Sequence, residues 1–270
     1  APAPVTTPRK IAVIGGGPAG MEAAQVAANR GHKVTLFEQT GQLGGQLIPA
    51  SVPDFKWTLK QFKDYMVRKT LENPNIQVRF YSRVEPGQLT GYDKVIVAIG
   101  ADPIVLPIPG HDRANVMTGI DALNAPEKVK GTVAVIGGGE IGVEVGMFLA
   151  KQGHPATVLE MRDKLAADAT PIHYYNMVED AWLHCEGFSF LLKAKVTGIT
   201  ESGVTYLDEA GTEHTLAADT VIMAVGTRSR KDEAYAFCTP GTETTVIGDA
   251  EALKTVQGAM RSGYAAGNNA

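Results

Sequence analysis

Cysteine is scarce: Cys185 and Cys238 are the only two in 270 residues. They form no C-x-x-C pair, no metal-ligand spacing with histidine and no disulfide framework, so neither a dithiol redox centre nor a metal site can be built from them. Two reduced, partly buried thiols in a cytoplasmic protein are expected. Excess charge is missing as well. The balance of 25 Lys and Arg against 29 Asp and Glu is −4, which provides no electrostatic footprint for nucleic acid or an anionic membrane. No run approaches the roughly 20 apolar residues that span a bilayer. The opening A-P-A-P-V-T-T-P lacks the charged and apolar regions of a signal peptide. Residues 1–8 read as an extended linker, and a chain that starts without Met reads as a piece of something larger.

What is present is a repeat. K-I-A-V-I-G-G-G-P-A-G, beginning at Lys10, returns as T-V-A-V-I-G-G-G-E-I-G, beginning at Thr132, an offset of 122 residues without a gap. In each copy a short apolar run predicts a buried parallel strand. A glycine turn follows, then a helix whose small residues (Ala19, Ala23, Ala24 and Ala27 in the first copy) allow close packing on a sheet. Gly31 and Gly153 stand where a left-handed helix stop belongs. His32 and His154 fall in that turn as exposed loop residues, and a second strand ends at Glu38 or Glu160.

The turns match G-x-G-x-x-G as Gly15, Gly17, Gly20 and as Gly137, Gly139, Gly142, with an acid 23 residues after each first glycine. That is close to the roughly 20-residue spacing of a dinucleotide fingerprint. The first glycine takes the tight turn, the second lets the backbone approach a pyrophosphate, and the third lets helix and strand touch. The helix N-terminus offers N–H donors and partial positive charge to the phosphates, and the acid accepts from ribose hydroxyls. Two such units imply two dinucleotides.

Further elements follow by pattern: a helix over Trp57–Leu71, strands at Ile76–Tyr81 and Lys94–Ile99, a helix over Thr170–Cys185, and an extended Phe188–Leu192. A hairpin of Gly203–Leu207 with Glu213–Ala217 turns on D-E-A-G, and a strand runs over Asp219–Val225. Thr244–Ile247 is one more strand, returning to the first sheet, and a final helix begins near Thr255. The fold class is therefore α/β, two Rossmann-like dinucleotide-binding domains with the second inserted in the first. The division is 9–108 with 240–270 for one domain and 109–239 for the other. Trp57, Trp182, Tyr174 and Tyr175 read as core or interface residues on helices.

V-I-V-A-I-G-A-D-P (95–103), V-I-M-A-V-G-T-R (221–228) and V-I-G-D-A (246–250) resemble the crossover and late Gly-Asp segments of the two-dinucleotide flavoproteins. L-G-G-Q-L (43–47) and G-D-A…M-R-S-G-Y-A-A-G narrow the resemblance to the C-terminal module of the old-yellow-enzyme-like 2-enoate and 2,4-dienoyl-CoA reductases, relatives of trimethylamine dehydrogenase. It covers Arg9 to Gly267. It implies FAD in the first domain, held by Gly15, Gly17, Pro18, Ala19, Gly20, Glu38, Gln39, Gly44, Gly45, Gln46, Ala98, Gly100, Gly248, Asp249 and Val256, with Val84 contacting adenine through its backbone. It implies a nicotinamide dinucleotide in the second, held by Gly137, Gly139, Glu140, Ile141, Gly142, Glu160, Arg162 and Gly226. Glu144 either approaches the nicotinamide or is a solvated or capping residue.

Glu160 favours the 2′-hydroxyl of NADH, whereas Arg162, helped by Arg228, Arg230 and Lys231, suits the 2′-phosphate of NADPH; NADH is the expectation. The implied activity is acceptance of hydride from NADH onto FAD, with electrons passed to an FMN/iron–sulfur barrel domain or subunit absent from this sequence. Two alternatives stay open: an ADP-holding structural domain without redox activity, and a free-standing NADH oxidase or ferredoxin-reductase-like subunit.

Overall fold

A computed structural model describes residues 3–169, 184–253 and 255–270. The expected helix over Thr170–Cys185 lies almost wholly outside the described residues, as do Trp182, Tyr174 and Tyr175. The chain forms two compact units. The first comprises Ala1–Ser51, Lys56–Asp102 and Arg228–Ala270, the second Val52–Phe55 and Pro103–Thr227.

In the first unit, β1 (Lys10–Ile14) is followed by α1 (Pro18–Asn29), β2 (Lys33–Phe37), the short α2 (Leu47–Ala50), α3 (Trp57–Glu72), β3 (Ile76–Arg79) and β4 (Lys94–Val97). All but the first residue of β1, and all of β4, are buried, as the apolar runs predict for parallel strands covered on both faces. After the second unit, β15 (Glu243–Val246) pairs in parallel with β4, so the sheet order is β15-β4-β1-β2-β3. The chain order reverses at β1, which has β2 on one side and β4 on the other. That reversal opens a crevice at the carboxyl end of β1, where open α/β sheets bind ligands. Helix α7 (Val256–Asn268) then lies along α1. A Cβ on Gly263 would stand 2.4 Å from the Ala19 carbonyl oxygen, and one on Gly267 2.5 Å from that of Ala23, so both positions are glycine for close helix contact.

The second unit repeats the plan. Its parallel sheet has the order β6-β13-β7-β8-β9, built from β6 (Val116–Thr118), β7 (Val133–Ile136), β8 (Ala156–Leu159), β9 (Phe188–Leu191) and β13 (Thr220–Met223). Helices α4 (Gly119–Asn124) and α5 (Glu140–Lys151) cover it; α5 buries Val143, Val145, Met147, Phe148 and Leu149. An antiparallel three-stranded sheet, β10 (Lys195–Thr200), β11 (Gly203–Leu207) and β12 (Glu213–Ala217), contains the expected hairpin. Strands β5 (Ala101–Pro103) and β14 (Thr227–Ser229) form a ribbon, and the short helix α6 (Lys231–Tyr235) follows in the first unit.

The helix stops take left-handed geometry at Gly31 (φ +105°) and Gly153 (φ +91°). His32 departs from expectation. It is 1 % exposed, and its Nδ1 accepts the Arg9 N–H at 3.0 Å, so burial pushes its pKa down. The residue after the stop turns inward because the next strand begins there. Trp57 is the opposite case, 60 % exposed at the start of α3 and not part of the core. Of the free cysteines, Cys185 is half-buried and Cys238 exposed.

Candidate dinucleotide sites

Each glycine turn hangs from the end of its central strand. Gly15 N–H donates to the Phe37 carbonyl at 2.8 Å, and Gly137 N–H to that of Leu159 at 2.9 Å. Both glycines lie at positive φ, +104° and +102°. A Cβ on Gly15 would meet the Ala98 carbonyl oxygen at 2.4 Å, and one on Gly137 that of Ala224 at 2.6 Å. The third glycines are tighter: a Cβ on Gly20 or Gly142 would sit 1.9 Å from the carbonyl oxygen of Gly15 or Gly137. These are backbone obstacles that no rotamer relieves, which is why the positions are glycine. Gly17 and Gly139 cap α1 and α5 in extended conformation, so neither helix has an N-cap side chain of its own; at α5 the Glu140 N–H donates instead to Asp168 Oδ1 at 2.9 Å. At Gly17 a Cβ would find nothing nearer than the Gly45 Cα at 3.9 Å. That open surface above helical amides fits a pyrophosphate. Pro18 at the first helical position and buried Ala19 complete the start of α1.

The acidic strand ends close each turn from behind. Gly16 N–H donates to Glu38 Oε2 at 2.9 Å, while Thr40 N–H and Oγ1 donate to Oε1, both at 2.8 Å. In the second unit Gly138 N–H donates to Glu160 Oε2 at 2.7 Å and Arg162 N–H to Oε1 at 2.8 Å. Both carboxylates are less than a tenth exposed. Each is thus fixed at the end of its strand, against the glycine turn.

In the first unit Gly44 N–H donates to the Gly16 carbonyl at 2.9 Å, which brings Gly44, Gly45 and Gln46 to the turn. Gln46 Nε2 donates to the Ala101 carbonyl at 3.1 Å, just beyond Gly100. The Gly248–Asp249 turn also joins this group: Gly248 (φ +65°) donates its N–H to Ser262 Oγ at 3.1 Å, and a Cβ on it would lie 2.9 Å from that of Ala19. Gln39 is exposed beside Glu38, Val84 packs against the core behind β4, and Val256 is the exposed first residue of α7.

A cavity of about 450 Å³ lies at the second turn. Gly137, Gly139, Ile141, Glu160, Arg162 and Gly226 line it, joined by Lys164, Asp168 and Lys195, which the sequence reading did not single out. Glu140 begins α5 and Gly142 packs on Gly137. The cavity is of a size that takes a nucleotide. Glu144 is 8 % exposed, so it is not a solvated residue. Arg230 and Lys231 belong to the first unit and are already occupied. Arg230 Nε donates to Asp102 Oδ1 at 2.9 Å, its guanidinium holding that carboxyl below the usual range, and Lys231 stands over the Tyr235 ring.

Among the described residues there is no group of three or more His, Cys, Asp or Glu placed to hold a metal ion, and no helix is long and apolar enough to cross a membrane.

The family model for pyridine nucleotide-disulphide oxidoreductases matches residues 9–267. A cinnamate reductase of Clostridium sporogenes is 32% identical over 97% of this chain and 39% of its own length. An NADH oxidase of Thermoanaerobacter brockii is 33% identical over 95% of this chain and 40% of its own. A solved 2-naphthoyl-CoA reductase matches all of this chain with 41% of its own, at a TM-score of 0.93 and 25% identity. The chain thus spans about two fifths of the relatives that it matches. It belongs to the pyridine nucleotide-disulphide oxidoreductase family, whose members bind FAD and use a nicotinamide dinucleotide, and it is built of two dinucleotide-binding folds.

Proposed function

We propose that the first unit holds FAD, that the second receives NADH, and that electrons leave for a separate centre in a larger ene-reductase-like enzyme. The observation that carries this reading is the duplicated cradle: glycine turn, a helix that opens on a glycine N-cap and a buried glutamate bonded to the middle glycine, present twice. When bound, the dinucleotides supply the redox chemistry, a hydride passing from the nicotinamide C4 to the flavin N5. The protein's part is to bind and orient. Gly15, Gly17 and Gly20 let the α1 amides approach one pyrophosphate, and Glu38 fixes the adjoining ribose. Gly45 and Gln46, brought to the turn by the Gly44–Gly16 bond, and Gly248 and Asp249, beside Ala19 of α1, serve the flavin end of the dinucleotide rather than the adenine end, as the resemblance implies. That placement favours full FAD over an ADP held for structure. Gly137, Gly139, Gly142 and Glu160 repeat the adenine-end arrangement in the second unit. Arg162, Lys164 and Lys195 at the same cavity keep NADPH as the second choice.

For the electron acceptor we propose an FMN/iron–sulfur barrel, as the enoate-reductase resemblance implies. The reductase relatives carry more than half of their length outside the matched region. A direct NADH oxidase is the second reading, favoured by the relative of that name. We place the protein in the cytoplasm, where reduced nicotinamide is supplied and unpaired Cys185 and Cys238 persist as thiols. The test is a visible spectrum of the purified chain with added FAD, followed by anaerobic NADH. Flavin bands that bleach support both sites, whereas a colourless protein that retains ADP would leave the structural reading in its place.

A further inference from the structure

The duplication continues past the strand-end acids. Leu43, Gly44, Gly45 and Gln46 correspond at the same offset to Leu165, Ala166, Ala167 and Asp168. Both loops are tied to their turns by the same bond, Gly44 N–H to the Gly16 carbonyl and Ala166 N–H to the Gly138 carbonyl at 2.7 Å. Ala166 accepts a left-handed φ of +46° to make it, a conformation that L-residues rarely adopt. The second loop is thus held against its turn at some strain.

The two loops differ in their last residue. Gln46 is neutral and turns its amide to the Ala101 carbonyl. Asp168 Oδ1 instead accepts the N–H of Glu140, the first residue of α5, at 2.9 Å. Its Oδ2 lies over the N-cap glycine, 3.1 Å from where a Cβ on Gly139 would be. This carboxylate therefore sits on the surface that Gly17 leaves open in the first unit, and it lines the cavity of the second. An anion at a helix N-terminus is favourable, but two anions competing for the same amides are not.

The geometry points to Asp168 as an internal counter-anion of the second dinucleotide site, which an entering pyrophosphate must displace from the Glu140 N–H. This rests on the reading that the second turn binds a nicotinamide dinucleotide, and it adds a physical reason why the two sites behave differently. The first, with neutral Gln46, is suited to retain its dinucleotide as a cofactor. The second carries a built-in competitor, which weakens binding and speeds release, as a co-substrate exchanged at each turnover requires.

The experiment is calorimetric titration of the chain, with one equivalent of FAD, by ADP-ribose and by adenosine, for wild type and Asp168→Asn. Asparagine keeps the acceptor oxygen and removes the charge. The expected result is ADP-ribose binding about tenfold tighter in the variant, with adenosine unchanged because it carries no phosphate. NADH should follow ADP-ribose, and NAD⁺ release in stopped flow should slow by a similar factor. Asp168→Ser, which also leaves a short acceptor without charge, stands in if the asparagine variant fails to fold. Unchanged or weaker ADP-ribose binding in a folded variant overturns the counter-anion while leaving the dinucleotide reading intact, provided that NADH still binds. Tightening of adenosine by the same factor overturns it too, since the effect would then not act through phosphate. If neither protein binds NADH or ADP-ribose, both this inference and the reading beneath it are lost.

Discussion

Glu160 Oε2 accepts the Gly138 N–H at 2.7 Å, so the acid that we propose binds the ribose also closes the glycine turn. Its other oxygen takes the Arg162 N–H. A glutamine at this position keeps one acceptor oxygen and loses the charge. We expect Glu160→Gln to weaken NADH binding by about tenfold, from loss of charge-assisted bonds. NADPH, whose 2′-phosphate the carboxylate repels, should be affected less. Anaerobic flavin reduction with each dinucleotide measures the ratio. A preference that does not move toward NADPH would remove Glu160 from the ribose.

The third glycines separate the two sites cleanly. At both Gly20 and Gly142 an added methyl would penetrate a backbone carbonyl 1.9 Å away, so helix and strand must part. Each alanine variant should lose at least about 3 kcal/mol of stability. The functional outcomes should differ. Gly20→Ala should lose FAD, whereas Gly142→Ala should keep the yellow colour and fail to bleach with NADH. Loss of flavin from Gly142→Ala alone would reverse the assignment of the two turns.

Most of this architecture is legible in the residues because the signals are local and repeated. Apolar runs, G-x-G-x-x-G and a terminal acid each act within one strand–turn–helix unit, and the hairpin forms on Asp208–Gly211 with Gly211 at φ +80°. Short elements were not legible. β5, β6 and β14 have three residues each, too few for a period, and β10 is interrupted by a register shift between Val196 and Gly198. His32 was misplaced because a helix-stop turn ordinarily faces solvent, whereas this one feeds straight into β2. Asp168 escaped notice for a different reason. The close sequence match of the two copies ends at Glu38 and Glu160, and only the unbroken offset, eight residues on, sets Asp168 against Gln46.

That pairing permits the reciprocal experiment. Gln46→Asp installs in the first unit the carboxylate that the second already has. We expect FAD retention to weaken about tenfold, by the same competition for helical amides. Gln46→Ala is the control, since it removes the bond to the Ala101 carbonyl without adding charge. Equal loss of flavin from the two variants would assign the effect to the missing bond.

Stability of the first unit carries an acid-sensitive contribution at the end of its sheet opposite the glycine turn. Lys94 is 3 % exposed, donates to the Asn269 carbonyl at 2.7 Å and pairs with Glu243 Oε1 at 2.9 Å; Arg9 meets the other carboxylate oxygen at 2.6 Å. Lys94, and then Arg9, hold the Glu243 carboxyl below its ordinary value of 4.5. A carboxyl depressed on folding stabilises above its unfolded pKa, and that stability is lost as pH falls through the folded value. Glu243 is half exposed, so solvent screens the pair, but its removal leaves a buried ammonium with one neutral partner. We expect Glu243→Gln to cost about 1–2 kcal/mol at neutral pH, a fall of a few degrees in Tm. The gap from wild type should hold steady down to about pH 5 and close below the ordinary carboxylate range. Thermal melts across that range decide it, and a gap that widens on acidification would show that the pair does not carry the charge-dependent stability assigned to it.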